Sequence, residues 1–319
     1  LKSCQNVGVT NILAYQHRLR KVDMMKEQVE KIYEEQGKGK LKSALFGIAA
    51  YFMVMGIVSL FFGSPFPYKE QKILGQVLHS GWIIEKWYLL IVCAILGVIA
   101  GVGSAAIKIL KELSKLDYDF LHNCDVERYL ETMKFAVSYG KELHFKGHQE
   151  TVFNFMQQRY VMALIAKDHF EEAEAYLSTQ WVGNKNTGQY KQCRTNVGLI
   201  TYYYNGNVQE FNKLYQQAPA VFKKNKLFRA YSLILKKQLI EVVELLSSYK
   251  ENKPYNEVSR NALLGRCYAA LGNIQSAKEC REYVAEHGNT MPCKEQAEEW
   301  LLMHSGRLIG EGNEKRESY

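Results

Sequence analysis

The side chains able to do chemistry are scattered along this chain. His144 and His148 stand four apart, a spacing that on one helix face would suit a metal pair. Gly147 lies between them, and the segment reads as the end of a helix, so a metal is not expected. No HExxH, no GxSxG and no glycine-rich phosphate loop after a strand is present. Glu171, Glu172 and Glu174 are spaced as solvated helix positions. The seven cysteines (Cys4, Cys93, Cys124, Cys193, Cys267, Cys280, Cys293) are odd in number and contain no CxxC, which argues for free thiols in a reducing compartment. The 13-residue spacing of Cys267, Cys280 and Cys293 is read as coincidence among small buried thiols. Nothing here anchors catalysis or a cofactor, so the chain is expected to be no enzyme and to carry none.

One basic stretch, Lys223, Lys224, Lys226, Arg229, Lys236 and Lys237, has two readings. It could meet an acidic peptide, a carboxylate or a lipid headgroup. The plainer reading is a solvated helix face. The net charge of +8 lies mostly elsewhere, because residues 1–116 hold 15 Lys and Arg against 8 Asp and Glu. A nucleic-acid protein places its basic excess on the folded domain as a patch, so nucleic acid is excluded as a partner.

The elements that would position these groups fall into two materials. Residues 43–62 and 87–107 are uncharged runs of 20 and 21 residues. At about 1.5 Å per residue each could span a hydrocarbon core of about 30 Å. They are read as a two-helix transmembrane hairpin, with residues 1–42 a basic, amphipathic helical segment and 63–86 an external loop. Lys26, Lys31, Lys38, Lys40 and Lys42 before the first run, with Lys108, Lys111 and Lys115 after the second, place both termini in the cytoplasm. Gly97, Gly101 and Ala105 recur every four residues as a small-residue stripe. The stripe packs either on the first run or on a second copy, the first being preferred. The opening Leu1 leaves Met24 or Met25 as candidate starts.

After a linker and initial helix at 108–148, apolar residues recur at helical spacing with very few prolines. Four segments share one pattern over 149–304: Asp168-His169-Phe170 with Ala173, Asn207-Val208 after Gly206 with Phe211, Gln238-Leu239-Ile240 with Val243, and Asn273-Ile274 after Gly272 with Ala277. Their last residues lie 38, 32 and 34 apart, near the 34-residue period of helix-turn-helix repeats, with an insertion near 183–188. The fourth copy has Leu264-Gly265, Tyr268, Gly272 and Ala277, and on these residues the chain resembles the tetratricopeptide repeat family. Asn261 stands where that family prefers Trp and Arg281 where it prefers Phe. Pro292 to His304 reads as a capping helix, and 305–319 as a disordered tail.

The resemblance implies a groove lined by the first helix of each repeat, which nominates Phe155, Gln158, Met162, Asn196, Ile200, Tyr203, Phe228, Ser232 and Arg266. The expectation is an all-α chain: a transmembrane hairpin, then a tetratricopeptide-like α-solenoid of about four helix-turn-helix repeats. Its expected role is a scaffold at the cell membrane that binds a protein or peptide in a cytoplasmic groove, with the lipid bilayer as its other partner. The alternatives are a sensor using the 63–86 loop and a membrane enzyme with accessory repeats. Oligomeric state is left open.

Overall fold

The computed structural model describes residues 23–34, 45–59, 88–144 and 150–305. Among them every regular element is helical, so the chain is all-α. Two compact units divide it: Val29–Ser114, and Leu1–Gln28 with Lys115–Tyr319. The helices are α1 (23–34), α2 (45–59), α3 (Tyr88–Asn123), α4 (Val126–His144), α5 (Glu150–Ala166) and α6 (Phe170–Ala175), which continues as a π-helical turn at Tyr176–Gln180. Then come α7 (Gly188–Tyr204), α8 (Val208–Gln217), α9 (Ala220–Lys224), α10 (Lys226–Leu235), α11 (Leu239–Ser247), α12 (Pro254–Ala270), α13 (Ile274–His287) and α14 (Pro292–Ser305).

In the smaller unit α2 lies antiparallel to the first part of α3. Met55 and Cys93 form a buried contact, with Tyr51, Val54 and Val58 packed around it. Gly97 lets the backbones meet, since a Cβ there would stand 2.6 Å from the Gly47 carbonyl oxygen. The surroundings of Gly101 and Ala105 fall outside what is described. The outward side chains, among them Phe46, Phe52, Met53, Ile95 and Val98, are apolar and exposed.

The reading of this pair as two membrane spans is corrected. The described part of α2 has 15 residues, about 22 Å against about 30 Å of hydrocarbon. The apolar side chains described in α3 before its charged half are those of residues 91–100 and Ile107. Among the described residues no helix is long and apolar enough to cross a membrane. The cell-membrane location, the two spans at 43–62 and 87–107 and the cytoplasmic termini derived from them do not stand. The 63–86 loop, the tail after Ser305 and residues 1–22 lie outside the described residues.

The larger unit is solenoid-like, and its hairpins are made by one turn used four times. Asp168, Gly206, Lys237 and Gly272 each adopt a left-handed backbone, with φ of 61°, 65°, 61° and 78°. The next residue sends its N–H back to the carbonyl five positions earlier: His169 to Leu164 (2.9 Å), Asn207 to Tyr202 (2.8 Å), Gln238 to Leu233 (3.0 Å) and Asn273 to Tyr268 (2.9 Å). These bonds close the last turn of one helix while the same residue begins the next. Asn207 and Asn273 also cap with their side chains, accepting from Glu210 N–H and Ser276 N–H. Five residues past each left-handed position stands a side chain of 0% exposure: Ala173, Phe211, Val242 and Ala277.

The third copy therefore sits one residue earlier than its sequence pattern suggests, on Val242 rather than Val243. The repeat spacings become 38, 31 and 35. The long first interval holds the π-helical turn and the 181–187 loop. The buried Gln157 amide ties that loop down, donating to the Val182 carbonyl (2.8 Å) and accepting from Val182 N–H (2.9 Å) and the Tyr176 hydroxyl (3.0 Å).

Successive hairpins meet through α5 and α6 on α7, α7 and α8 on α10, and α11 on α12. Gly265 lies against Cys280 and Arg281, each 3.3 Å from where a Cβ would be, so α12 and α13 approach closely. Tyr268 packs against the core formed by Ala230, Val242, Leu246, Leu263, Leu264 and Cys267. At the start of the unit, Asp117 accepts from Arg159 Nη2 (2.7 Å), Arg159 Nε (2.9 Å) and the Tyr129 hydroxyl (2.7 Å), which fixes α3, α4 and α5 together.

The two ends of the array are also joined. The Asn289 amide donates to the Asn123 carbonyl (2.8 Å), Thr290 N–H to the Cys124 carbonyl (3.3 Å), and Glu127 N–H to Thr290 Oγ1 (3.1 Å). Lys167 Nζ reaches the Thr290 carbonyl (3.4 Å), and Phe120 packs on Tyr255 with ring centroids 4.4 Å apart.

Lys237 is the one turn position of the four whose side chain is a long aliphatic cation, and that side chain makes no hydrogen bond among the described residues that would offset the backbone strain. Lys237→Gly should raise stability by about 0.5–1 kcal/mol, and Gly272→Ala should lower it by about 1–2 kcal/mol. Denaturant titrations followed by far-UV circular dichroism check both.

Candidate functional site

The left-handed turns also set which residues face inward. Six positions before each of them stand Met162, Ile200, Tyr231 and Arg266. The last three line a half-open cavity of about 120 Å³, together with Asp168, Tyr204, Tyr255, Ser259, Cys293, Gln296 and an apolar wall that includes Ile165, Phe170 and Met291. It lies where the first helices of the hairpins meet α14, and the joined ends of the array close one side.

Of the groove residues nominated from sequence, Ile200 and Arg266 reach this cavity. Asn196, Tyr203, Phe228 and Ser232 are buried, and Phe155 and Gln158 are half-buried. Asn196 Nδ2 contacts Met162 Sδ at 2.9 Å, and Gln158 donates to Gln192 Oε1 at 3.3 Å. The third repeat carries the same one-residue slip as its turn. Tyr231, rather than the neighbouring Ser232, occupies the position equivalent to Ile200 and Arg266. Tyr204, Tyr231, Tyr255 and Asp168 were not singled out as lining residues. The available signal was the tyrosine abundance, 21 in the chain, with Tyr202-Tyr203-Tyr204 in one run.

Aromatic contacts hold the phenols in place. Tyr204 packs on Phe170 (4.7 Å between centroids), and Tyr231 stacks on Tyr203 (4.2 Å) and meets Phe228 edge-on (5.8 Å). Burial pushes the phenols of Tyr204, Tyr231 and Tyr255 well above the ordinary tyrosine value, so they stay neutral hydrogen-bonding groups at physiological pH. The Cys293 thiol is pushed up to about 12, again by burial. It is therefore no thiolate nucleophile at neutral pH.

Two charges remain. The Asp168 carboxylate is half-buried, and burial raises it above its ordinary value while the positive charges of His169, Arg266 and Lys167 pull it back. It accepts no hydrogen bond and makes no ion pair among the described residues. Arg266 is exposed at the rim, its guanidinium carbon 5.9 Å from the Tyr203 ring centroid, and it too makes no ion pair.

Helix α12 supplies Tyr255, Ser259, Ala262, Leu263 and Arg266, so whatever fixes α12 fixes the cavity. Pro254 opens it at a position where no N–H is needed. A buried network then locks its first turns. Arg260 grips both Glu257 carboxylate oxygens and donates to the Leu246 carbonyl (2.8 Å), while Glu251 N–H (2.8 Å) and the Asn261 amide (3.3 Å) also reach Glu257.

The other sequence candidates do not converge. The six basic residues from Lys223 to Lys237 are exposed and spread over α9, α10 and the following turn. Lys223 Nζ is held by the Gln216 carbonyl (2.6 Å), and Lys226 sits 3.6 Å over the Tyr249 ring. His144 ends α4, and His148 lies outside the described residues. Among the described residues no three His, Cys, Asp or Glu side chains gather as a metal site. The described cysteines are free thiols.

No family model, no curated protein and no solved structure matches the chain.

Burial by itself would raise the Glu257 carboxyl, but the Arg260, Glu251 and Asn261 hydrogen bonds outweigh it and the net direction is downward. A lowered carboxyl contributes stability that is complete above its ordinary value and is lost as pH falls through the folded value. Glu257→Gln breaks a buried ion pair and should cost about 3 kcal/mol near neutrality. The gap to the wild type should narrow as pH falls below the ordinary carboxyl value in melting experiments, because the wild type loses there what the variant already lacks.

Proposed function

We propose that the larger unit is a protein-binding module, tetratricopeptide-like in design, that takes a segment of a partner protein on the inner face of its hairpins. The observation that carries this reading is the inward register. One repeated turn brings Ile200, Tyr231 and Arg266 from three successive hairpins to the same side, where Tyr204 and Tyr255 join them. Tyrosine and arginine are the side chains that most often anchor protein contacts, because they offer large area and a polar tip at modest entropy cost. A stacked-hairpin array supplies such a face without a catalytic centre. The protonated Cys293 and neutral phenols support a binding role over a catalytic one.

The joined ends narrow the ligand. A cavity of about 120 Å³ admits a side chain or a chain end rather than a long peptide laid lengthwise. The scaffold is proposed to grip its partner at one residue and to use the surrounding rim for the remainder. A photo-crosslinking amino acid placed at Gln296, on the rim, should give a discrete adduct with a partner protein in cells. The same group at Glu241, exposed on α11, should give none. Equal adducts at both positions, or none at Gln296, would overturn the reading.

A further inference from the structure

The cavity holds one negative and one positive side chain that do not neutralise each other, and this goes beyond a surface for protein contact. Asp168 and Arg266 both line it, Asp168 feels the positive field of Arg266, and they form no ion pair. The half-buried Asp168 carboxylate has no partner among the described residues, which is costly, and folded proteins leave few such groups unless water, an ion or a ligand completes them. Around these two charges stand Tyr204, Tyr231 and Tyr255, whose hydroxyls make no hydrogen bond among the described residues. Their protonated phenols can each donate one bond or accept one.

The charge count selects the ligand. With the Cys293 thiol and the phenols neutral, the wall carries one carboxylate and one guanidinium. A ligand with a single charge would satisfy one of them and repel the other. A ligand bearing one cationic and one anionic group satisfies both. Guanidinium matches a carboxylate in planar, two-bond fashion, and a carboxylate beside tyrosine faces suits an ammonium group. The size agrees, since about 150 Å³ holds a benzene ring and about 30 Å³ is the share of one water in liquid.

We infer that this cavity is a binding site for a small zwitterion of amino-acid size, with Arg266 on its carboxylate, Asp168 on its ammonium and the three tyrosine hydroxyls completing the shell. The lining comes from α5, α6, α7, α10, α12 and α14 and from the turns beside them. Occupancy would therefore tie the first hairpin to the last, along the same seam that Thr290 bridges.

The test is a calorimetric and melting screen of the full-length protein against the twenty free L-amino acids at about 10 mM, a concentration that registers even weak sites. At least one should raise the melting temperature and give saturable heat, and its N-acetyl form and methyl ester, each with one charge removed, should not. Asp168→Asn and Arg266→Met should each weaken that binding tenfold or more. Tyr255→Phe, which keeps the ring and removes only the hydroxyl, should weaken it while melting like the wild type. The inference fails if no amino acid binds, so that the cavity holds water only. It also fails if the singly charged forms bind as tightly, or if all three variants bind as the wild type does. Because the crosslinking experiment reads a partner protein and this one a free small molecule, either result can fail alone.

Discussion

The meeting of Thr290 with the start of the array is the constraint on which the site depends. A row of helical hairpins, left open, offers a shallow curved face with no floor. Here the 289–291 segment reaches back to Asn123, Cys124 and Glu127, and Lys167 reaches forward to the Thr290 carbonyl. These are single hydrogen bonds, each worth about 1 kcal/mol net, yet they decide the geometry. They set α14 beside the Asp168 turn, and without that placement Asp168, Cys293 and Gln296 would not share a cavity with Arg266. The backbone is bent to allow it, since Cys124 and Asn289 both take left-handed conformations with φ of 53° and 43°. Two non-glycine residues held there mark a junction whose surroundings over-determine it.

Inside that frame the chemistry is one of restraint. Burial keeps the phenols and Cys293 protonated, and the two charges line the cavity without pairing with each other. The fixed polar network does not line the cavity: Glu257 and Arg260 share the turns of α12 with lining residues but stand apart from the wall, as do Asp117 and Arg159. Rigid ion pairs hold the walls, and uncommitted groups line the space between them. A binding cavity needs that division, because a group already saturated by the protein has nothing to give a ligand.

The helical class and the hairpin repeat were legible because they are written in apolar spacing and in Gly206 and Gly272. The third repeat was legible only to within one residue. Its left-handed position is filled by Lys237, which carries no sequence mark of that conformation, and Val242 and Val243 look alike to any pattern of hydrophobicity. That single slip put Ser232 and Phe228 in the groove and hid Tyr231. Asp168 was visible as a turn residue but not as a wall of the site, because its role depends on Thr290, far along the chain. The uncharged runs misled for a different reason. Hydropathy measures composition along the chain, whereas crossing a bilayer requires one sufficiently long and apolar helix, and the described residues contain none. The turn itself is specified by torsion angles and backbone bonds that many side chains tolerate, as Asp168, Gly206, Lys237 and Gly272 show.

Joining the ends of a solenoid changes how it comes apart. An open array of stacked hairpins behaves as a one-dimensional chain of neighbours, and it can fray from either terminus one repeat at a time. In the larger unit the outermost hairpins are each other's neighbours across the Thr290 seam, so no repeat is terminal in that sense. Losing any one element then removes contacts on two sides, and partial unravelling gains little entropy before most of the packing is gone. Such a closed array has reason to melt all at once where an open one would peel.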